Sequence, residues 1–95
     1  MKNIPNKRKY CKELKNRLNT VGTNIYLKRK ELNYSRQKLS DQLMLKGIDI
    51  STQSIYDIEI GKRTVLDFEL CAFAKVLNTS ADELLKDFKA SLDRP

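Results

Sequence analysis

The stretch ISTQSIYDIEIGKR, residues 50–63, decides the fold of this chain. Ser51 is a good N-cap residue, because its hydroxyl can accept a hydrogen bond from a backbone N–H of the first helical turn. Ile55 and Ile58 recur at helical spacing, and Gly61 stands where the end of a helix favours a residue with positive φ. We therefore predict a short capped helix that buries two isoleucines.

The outward face of this predicted helix carries Thr52, Gln53, Tyr56 and Asp57. Amide, hydroxyl and carboxylate groups in the N-terminal half of a helix suit contact with base edges in a DNA major groove. An ordinary amphipathic helix with a solvated polar face would carry the same residue types. This segment alone leaves both interpretations open.

Further segments with helical spacing lie on both sides of this helix. In chain order the set is VGTNIYLKRKELN, SRQKLSDQL, TQSIYDIEIGKR, DFELCAFAKVLN and TSADELL. Together these segments, over roughly residues 21–85, resemble the helix-turn-helix domain of the Cro and phage-repressor family, often called Xre-like. The resemblance implies an all-α, five-helix, repressor-type fold. It also implies sequence-specific binding to double-stranded DNA by a small transcriptional regulator, a repressor of a phage or mobile element.

The same resemblance implies roles for individual side chains. Arg29 of the first helix and Glu59 of the recognition helix match two family positions that form a structural ion pair. Arg36 stands near the start of the second helix, where the family usually has a Gln that bonds to phosphate. Arginine can make the same bond with added charge, and the helix dipole also favours an anion there. Lys62 and Arg63, which follow the recognition helix, are also predicted phosphate contacts. Lys46 is an additional predicted contact that comes from the longer second helix of this chain and not from the resemblance; alternatively, a lysine at this helix end only stabilises the helix dipole. The predicted base contacts are Thr52, Gln53, Tyr56 and Asp57.

Two of the predicted base contacts have alternatives. Asp57 would be repelled by phosphates unless it accepts a hydrogen bond from a cytosine amino group or orients Gln53. Tyr56 could pack on a thymine methyl group or a sugar, but an exposed tyrosine also fits a protein interface. We expect affinity to come from the cations and specificity from the polar face of the recognition helix.

The segment DQLMLKGIDI, which precedes Ser51, departs from the family pattern. The family has a tight turn here, whereas this chain has about one more helical turn and a longer loop. We predict that the second helix continues through Leu45 and stops at Gly47, and that Ile48 and Ile50 anchor the loop to the core. Ser40 is small enough for close packing of the second helix.

The formal net charge of +7 is unevenly distributed. Residues 1–36 contain eleven Lys or Arg and two acidic residues, whereas the remainder contains eight basic and ten acidic residues. A basic segment of this kind attracts a polyanion such as DNA. We expect a basic arm over residues 1–20, with a possible extra amphipathic helix over residues 6–18, followed by the helix-turn-helix domain over residues 21–95.

Several classes of protein are disfavoured by composition. The chain has no histidine, and its two cysteines, Cys11 and Cys71, have no CxxC spacing, so we expect no metal, no cofactor and no enzymatic activity. No small-molecule substrate is indicated. No apolar run approaches the roughly 20 residues that span a bilayer, so we expect a cytoplasmic protein without a membrane partner. Cys71 lies among apolar residues and is expected to be buried.

The core is predicted from helical periodicity. The expected core residues are Ile25, Leu32, Leu39, Leu43, Ile55, Ile58, Leu70, Phe73, Ala74, Leu77, Leu84 and Leu85. We expect Asp67 or Thr64 to cap the fourth helix. Ser80 should open the fifth helix in a capping box, with Glu83 bonding back to the Ser80 amide.

The C-terminal segment predicts an extension of the fifth helix. Leu85, Phe88 and Leu92 fall on one helical face beyond the usual end of the domain. Phe88 and Leu92 would contribute to a homodimer interface, which would place two recognition helices roughly 34 Å apart on an operator. Alternatively, this face folds back on its own domain or packs on the amphipathic N-terminal stretch.

Two other functions fit part of the pattern. A protein-binding adaptor could use the same helical fold, and loss of binding to duplex DNA at low salt would favour it. The basic arm could instead bind RNA, which predicts a preference for RNA over duplex DNA in direct competition.

Overall fold

The computed structural model describes residues 16–93, which contain six α-helices and no strand. The helices are α1 (Gly22–Glu31), α2 (Arg36–Leu45), α3 (Thr52–Glu59), α4 (Asp67–Val76), α5 (Ala81–Leu84) and α6 (Lys86–Ser91). The all-α fold is confirmed. The predicted α2 end at Leu45 and the short α3 are also as expected.

Serine caps fix where three of the helices begin. The hydroxyl oxygens of Ser35, Ser51 and Ser80 each accept a hydrogen bond from the backbone N–H three residues later, at 3.0 to 3.1 Å. Each bond satisfies an amide that has no partner inside its helix. Two of the helices end at glycines in the left-handed region, Gly47 with φ 83° after α2 and Gly61 with φ 84° after α3.

One apolar centre is shared by α1 to α5. The buried apolar residues are Val21, Ile25, Leu39, Leu43, Ile50, Ile55, Ile58, Phe73, Ala74, Leu77 and Leu84. Leu32, Leu70 and Leu85 are partly buried and pack against this set. The periodicity therefore identified the core correctly, except that Val21 was missed.

The loop between α2 and α3 is attached to the core through Ile48 and Ile50, as predicted, and it also bonds to α2. Ile50 is buried, and Ile48 is partly buried against the core. The Ser40 hydroxyl donates to the Ile50 carbonyl at 2.7 Å, and the Ile48 amide donates to the Leu43 carbonyl at 3.0 Å. These bonds give the extra loop a defined path to the N-cap of α3.

The C-terminal helix differs from the expectation of one continuous helix. α5 ends after Leu84, and α6 begins at Lys86. The Asn24 amide of α1 donates to the Leu84 carbonyl at 3.0 Å and to Asp87 Oδ2 at 3.0 Å. In a continuous helix that carbonyl would instead bond to the amide of residue 88. The break between α5 and α6 therefore coincides with the hydrogen bond from the Asn24 side chain of α1 to the Leu84 carbonyl.

Three smaller predictions were also wrong. Cys71 is exposed, because it lies two residues before the buried Phe73 and therefore on roughly the opposite side of α4. Leu66, and not Asp67 or Thr64, is the N-cap residue of α4, and Glu69 accepts from its amide at 3.0 Å. The Glu83 carboxylate bonds to Lys86 at 2.7 Å and does not return to the Ser80 amide.

The predicted N-terminal helix over residues 6–18 lies mostly outside the described residues. Its last residues, 16–18, are not helical. Residues 17–19 contact the domain directly, through hydrogen bonds to the segment that follows α3 and to the end of α3 itself. This part of the predicted arm therefore belongs to the packed structure.

Candidate nucleic-acid interface

The outward face of α3 carries the four predicted base contacts. Gln53 and Tyr56 are exposed, and Thr52 and Asp57 are half-buried. The Gln53 Nε2 donates to Asp57 Oδ1 at 3.1 Å, one helical turn further along. This bond limits the rotamers of Gln53 and leaves its carbonyl oxygen and second amide hydrogen for another partner. The alternative in which Asp57 orients Gln53 therefore agrees with the geometry.

The inward face of α3 ends in a buried cluster of charge. Glu59 is buried, and its carboxylate accepts from Arg29 Nε at 2.7 Å and from Arg29 Nη2 at 3.2 Å. Arg29 is buried too, and its Nη1 donates to the Tyr34 carbonyl at 2.8 Å. The two-bond geometry fixes the angle between α1 and α3. The structure thus brings together the two residues predicted to form the ion pair.

A second arginine reaches the same carboxylate from α2. Arg36 Nε donates to Glu59 Oε1 at 3.0 Å. The Arg36 guanidinium carbon also lies 5.0 Å from the centroid of the Tyr56 ring, within the range of a cation–π contact. Arg36, predicted from sequence as a phosphate contact, is therefore engaged with two side chains of α3.

The C-terminal end of α3 is held by residues that sequence reasoning missed. Asn19 is buried, and its Nδ2 donates to the Ile58 carbonyl at 2.9 Å and to the Arg63 carbonyl at 2.8 Å. Its Oδ1 accepts from the amides of Val21 and Gly22 at 3.2 and 2.7 Å. All four hydrogen-bonding positions of the amide are used.

Two neighbours of Asn19 extend this attachment. The Leu18 amide donates to the Gly61 carbonyl at 2.8 Å, and Arg17 Nη2 donates to the Glu59 carbonyl at 2.9 Å. A Cβ atom on Gly22 would collide with the Ile58 carbonyl oxygen, so only glycine allows α1 to start this close to α3. We call residues 17–19 the N-terminal clip.

The remaining predicted phosphate contacts differ in their surroundings. Lys46 and Lys62 are exposed, and no side-chain hydrogen bond or ion pair joins either of them to another residue in the range 16–93. Arg63 instead contacts Glu69 of α4 with both terminal nitrogens, each at 3.0 Å. The hydrogen bonds of this pair lower the pKa of the Glu69 carboxyl and raise the pKa of Arg63. The charge of Arg63 is therefore largely compensated within the domain.

A family model described as Helix-turn-helix matches residues 25–84, well over half of the chain. The chain belongs to the Xre/Cro-like helix-turn-helix family. This family consists of DNA-binding transcription regulators that are typically not enzymes. The matched part of the helix-turn-helix domain runs from α1 through the end of α5. No curated protein and no solved structure matches the chain in the corresponding comparisons.

The family match does not extend to the N-terminal clip or to α6. Both lie next to the matched domain and bond to it, the clip through Asn19 and α6 through the contact between Asn24 and Asp87. Two described segments outside the matched residues are thus attached to the helix-turn-helix domain. The clip hydrogen-bonds directly to the recognition helix α3, at the carbonyls of Ile58 and Glu59.

The described part of the chain offers few other kinds of site. Within residues 16–93, no group of Cys, Asp and Glu side chains is arranged to hold a metal ion. None of the six helices is long and apolar enough to cross a membrane.

Proposed function

We propose that the chain binds double-stranded DNA sequence-specifically and acts as a small transcriptional repressor of a phage or other mobile element. The observation that carries this proposal is the contrast within α3. Its outward polar face is open to solvent, with Gln53 and Tyr56 exposed, whereas its C-terminal end is fixed by Arg29, Arg36 and the N-terminal clip. A base-contacting helix needs both an open face and rigid support.

The proposed contacts divide into two groups. Thr52, Gln53, Tyr56 and Asp57 face the major groove and contact base edges. Lys46 and Lys62 contact phosphates, since both are exposed cations, Lys46 directly after α2 and Lys62 shortly after α3. Arg63 contributes less to phosphate contact than its position in the sequence suggested, because Glu69 already binds it.

The basic residues before the clip support the same function. Residues 1–15 contain six Lys or Arg and one Glu. The described chain begins immediately after them and bonds to Gly61 through Leu18, beside the exit of α3. On this proposal, the six cations of residues 1–15 add sequence-independent affinity for phosphates.

We also propose that the chain binds its operator as a homodimer through α6. Leu92 is 68% exposed and Phe88 is half-buried. A two-fold axis through this region would present two copies of α3 to successive major grooves, roughly 34 Å apart. Sedimentation of the full chain and of a Phe88→Asp, Leu92→Asp variant, with and without DNA, tests the interface. A folded variant that still dimerises would remove Phe88 and Leu92 from it.

A protein-binding adaptor is the second candidate, and one observation favours it. Leu66 and Phe68, at the start of α4, are 50% and 56% exposed. Two exposed apolar side chains this close in sequence suit a protein contact. The adaptor function would be supported if the full chain fails to bind duplex DNA at low salt.

Selection of bound duplexes from a random pool tests the proposed function. The full chain is incubated with the pool at moderate salt, and the bound duplexes are amplified and sequenced over several rounds. We expect enrichment of one motif, arranged as an inverted repeat if the protein binds as a dimer. An unenriched pool, or displacement of all bound duplex by an equal concentration of RNA, would contradict sequence-specific duplex binding.

A further inference from the structure

Arg36 contacts two residues of α3, the exposed Tyr56 and the buried Glu59. Tyr56 and Glu59 are three positions apart, so their side chains are neighbours on the α3 surface. The Arg36 Nε bonds to Glu59 Oε1 at 3.0 Å, while its guanidinium covers the Tyr56 ring at 5.0 Å. One planar group therefore contacts both side chains at once.

The hydrogen bond from Arg36 to Glu59 determines the orientation of the Arg36 guanidinium plane. Glu59 is buried and is already fixed by Arg29, so its carboxylate is a stationary acceptor. Once Nε is bonded to it, the guanidinium plane has little freedom to turn. The Tyr56 ring, which is 42% exposed, packs against a surface that is itself held in place.

This arrangement restricts a side chain that would otherwise be mobile. An exposed tyrosine on a helix has several accessible positions about its first two torsions. A cation–π contact of ordinary strength favours one of them by about threefold to fivefold. The favoured position keeps the ring next to α2 with its remaining surface turned to solvent, on the same side of α3 as Gln53.

We propose that Arg36 is a positioning residue that determines base specificity through Tyr56. This inference rests on the proposed function, and it changes the role that the family resemblance implies for Arg36. A phosphate contact would lower affinity for every duplex when removed. Removal of a positioning residue lowers the affinity for the enriched duplex more than the affinity for a scrambled one. It does so only while the Tyr56 ring is present.

A double-mutant cycle measures this dependence. Binding of the full chain is measured to a duplex enriched from the random pool and to a scrambled duplex of the same composition. We expect Arg36→Ala to lower the specificity ratio, the affinity for the enriched duplex divided by that for the scrambled duplex, by about threefold to fivefold. In the Tyr56→Ala background the same change should leave the ratio unaltered. Tyr56→Phe keeps the ring face and should preserve the effect of Arg36→Ala.

Arg36→Lys separates charge from geometry. Lysine retains the positive charge but has neither an Nε–H donor at that point nor a planar face. We expect Arg36→Lys to bind the scrambled duplex like the wild type, with an unchanged salt slope, and to show the reduced ratio of Arg36→Ala. Full recovery of the ratio by lysine would overturn the positioning role. Circular dichroism under the binding conditions establishes that each variant is folded.

The controls distinguish failure of this inference from failure of the proposed function. Gln53→Ala is measured on the same two duplexes, because Gln53 does not contact Arg36. If Gln53→Ala lowers the ratio but the Arg36 and Tyr56 changes are additive, the positioning role is overturned and the DNA-binding function stands. If no duplex is enriched from the pool, both the function and this inference are overturned.

Discussion

The two ends of α3 are held in different ways. At the C-terminal end, Glu59 accepts from Arg29 and Arg36, and the N-terminal clip bonds to the backbone carbonyls of residues 58, 59 and 61. At the N-terminal end, the polar bonds stay local, within the Ser51 cap and between Gln53 and Asp57. Changes at the two ends should therefore affect different properties, stability at one and recognition at the other.

The largest expected effect is on stability, at the charge cluster. Glu59→Gln leaves the buried Arg29 and the neighbouring Arg36 without a carboxylate, which should lower the free energy of unfolding by about 3 kcal/mol. Urea denaturation measures this. Glu31→Gln is the matched control, since its pair with Lys28 is exposed and should contribute less than about 0.5 kcal/mol. Equal losses in the two variants would contradict the structural role of Glu59.

The next largest effect is expected at the N-terminal clip. Asn19→Ala removes four hydrogen bonds and leaves the buried Ile58 carbonyl without its side-chain donor, so we expect a loss of about 2 kcal/mol in unfolding free energy. The control is Gln37→Ala, because the bond from Gln37 to Asp41 is exposed. If Asn19→Ala were as stable as its control, the clip would not support α3.

At the open end of α3, the expected effect is on recognition. Gln53→Ala should weaken binding to the enriched duplex by about 1 to 3 kcal/mol while hardly changing binding to a scrambled one. The reason is that the amide, oriented by Asp57, is suited to a bidentate contact with adenine. Fluorescence anisotropy on both duplexes gives the comparison. Equal weakening on both would remove Gln53 from the base contacts.

Two adjacent cations allow a smaller, matched test. Lys62→Ala should reduce the slope of log affinity against log salt by about one unit, because Lys62 is exposed and unpaired among residues 16–93. Arg63→Ala should reduce the slope less and should destabilise the fold, since it leaves Glu69 without its partner. Binding titrations at four salt concentrations measure both slopes. A larger slope change for Arg63→Ala than for Lys62→Ala would make Arg63, and not Lys62, the main phosphate contact of the two.

The smallest expected effect concerns acid stability. The pKa of Glu69 is lowered in the folded state, chiefly by its hydrogen bonds to Arg63. Its contribution to stability is therefore present above the ordinary carboxyl value of 4.5 and is lost as pH falls through the lower folded value. Glu69→Gln should show a shallower loss of stability than the wild type as pH falls below 4.5. If the unfolding free energies of the wild type and of Glu69→Gln fell in parallel with pH, the pKa of Glu69 would not be lowered in the folded state.

Local signals in the sequence were sufficient for most of the fold. Ser51 and Gly61 mark the ends of α3 because capping depends on residues a few positions apart. Helical periodicity identified the core for the same reason. The open face of α3 follows from the same periodicity, since Ile55 and Ile58 define the buried side and the polar residues of the helix fall on the other side.

The supports of α3 depend on contacts that no local pattern encodes. The first half of the Asn19 motif, its bonds to the amides of Val21 and Gly22, is a local turn of the kind that asparagine and glycine favour. Its bond to the Ile58 carbonyl joins residues 39 positions apart. The pairing of Arg63 with Glu69 was missed because Arg63, placed just after the recognition helix, was assigned to phosphate contact.

The central claim is that α3 contacts DNA with its outward polar face, from Thr52 to Asp57, while its C-terminal end remains fixed to the domain. The most direct measurement is a titration of the ¹⁵N-labelled full chain with a duplex enriched from the random pool, followed by amide chemical shifts. We predict that the largest shifts fall between Thr52 and Asp57 and at Lys62, with little change in α6 outside a dimer contact. Large shifts at Leu66 and Phe68, with those of Thr52 to Asp57 unchanged, would contradict the claim.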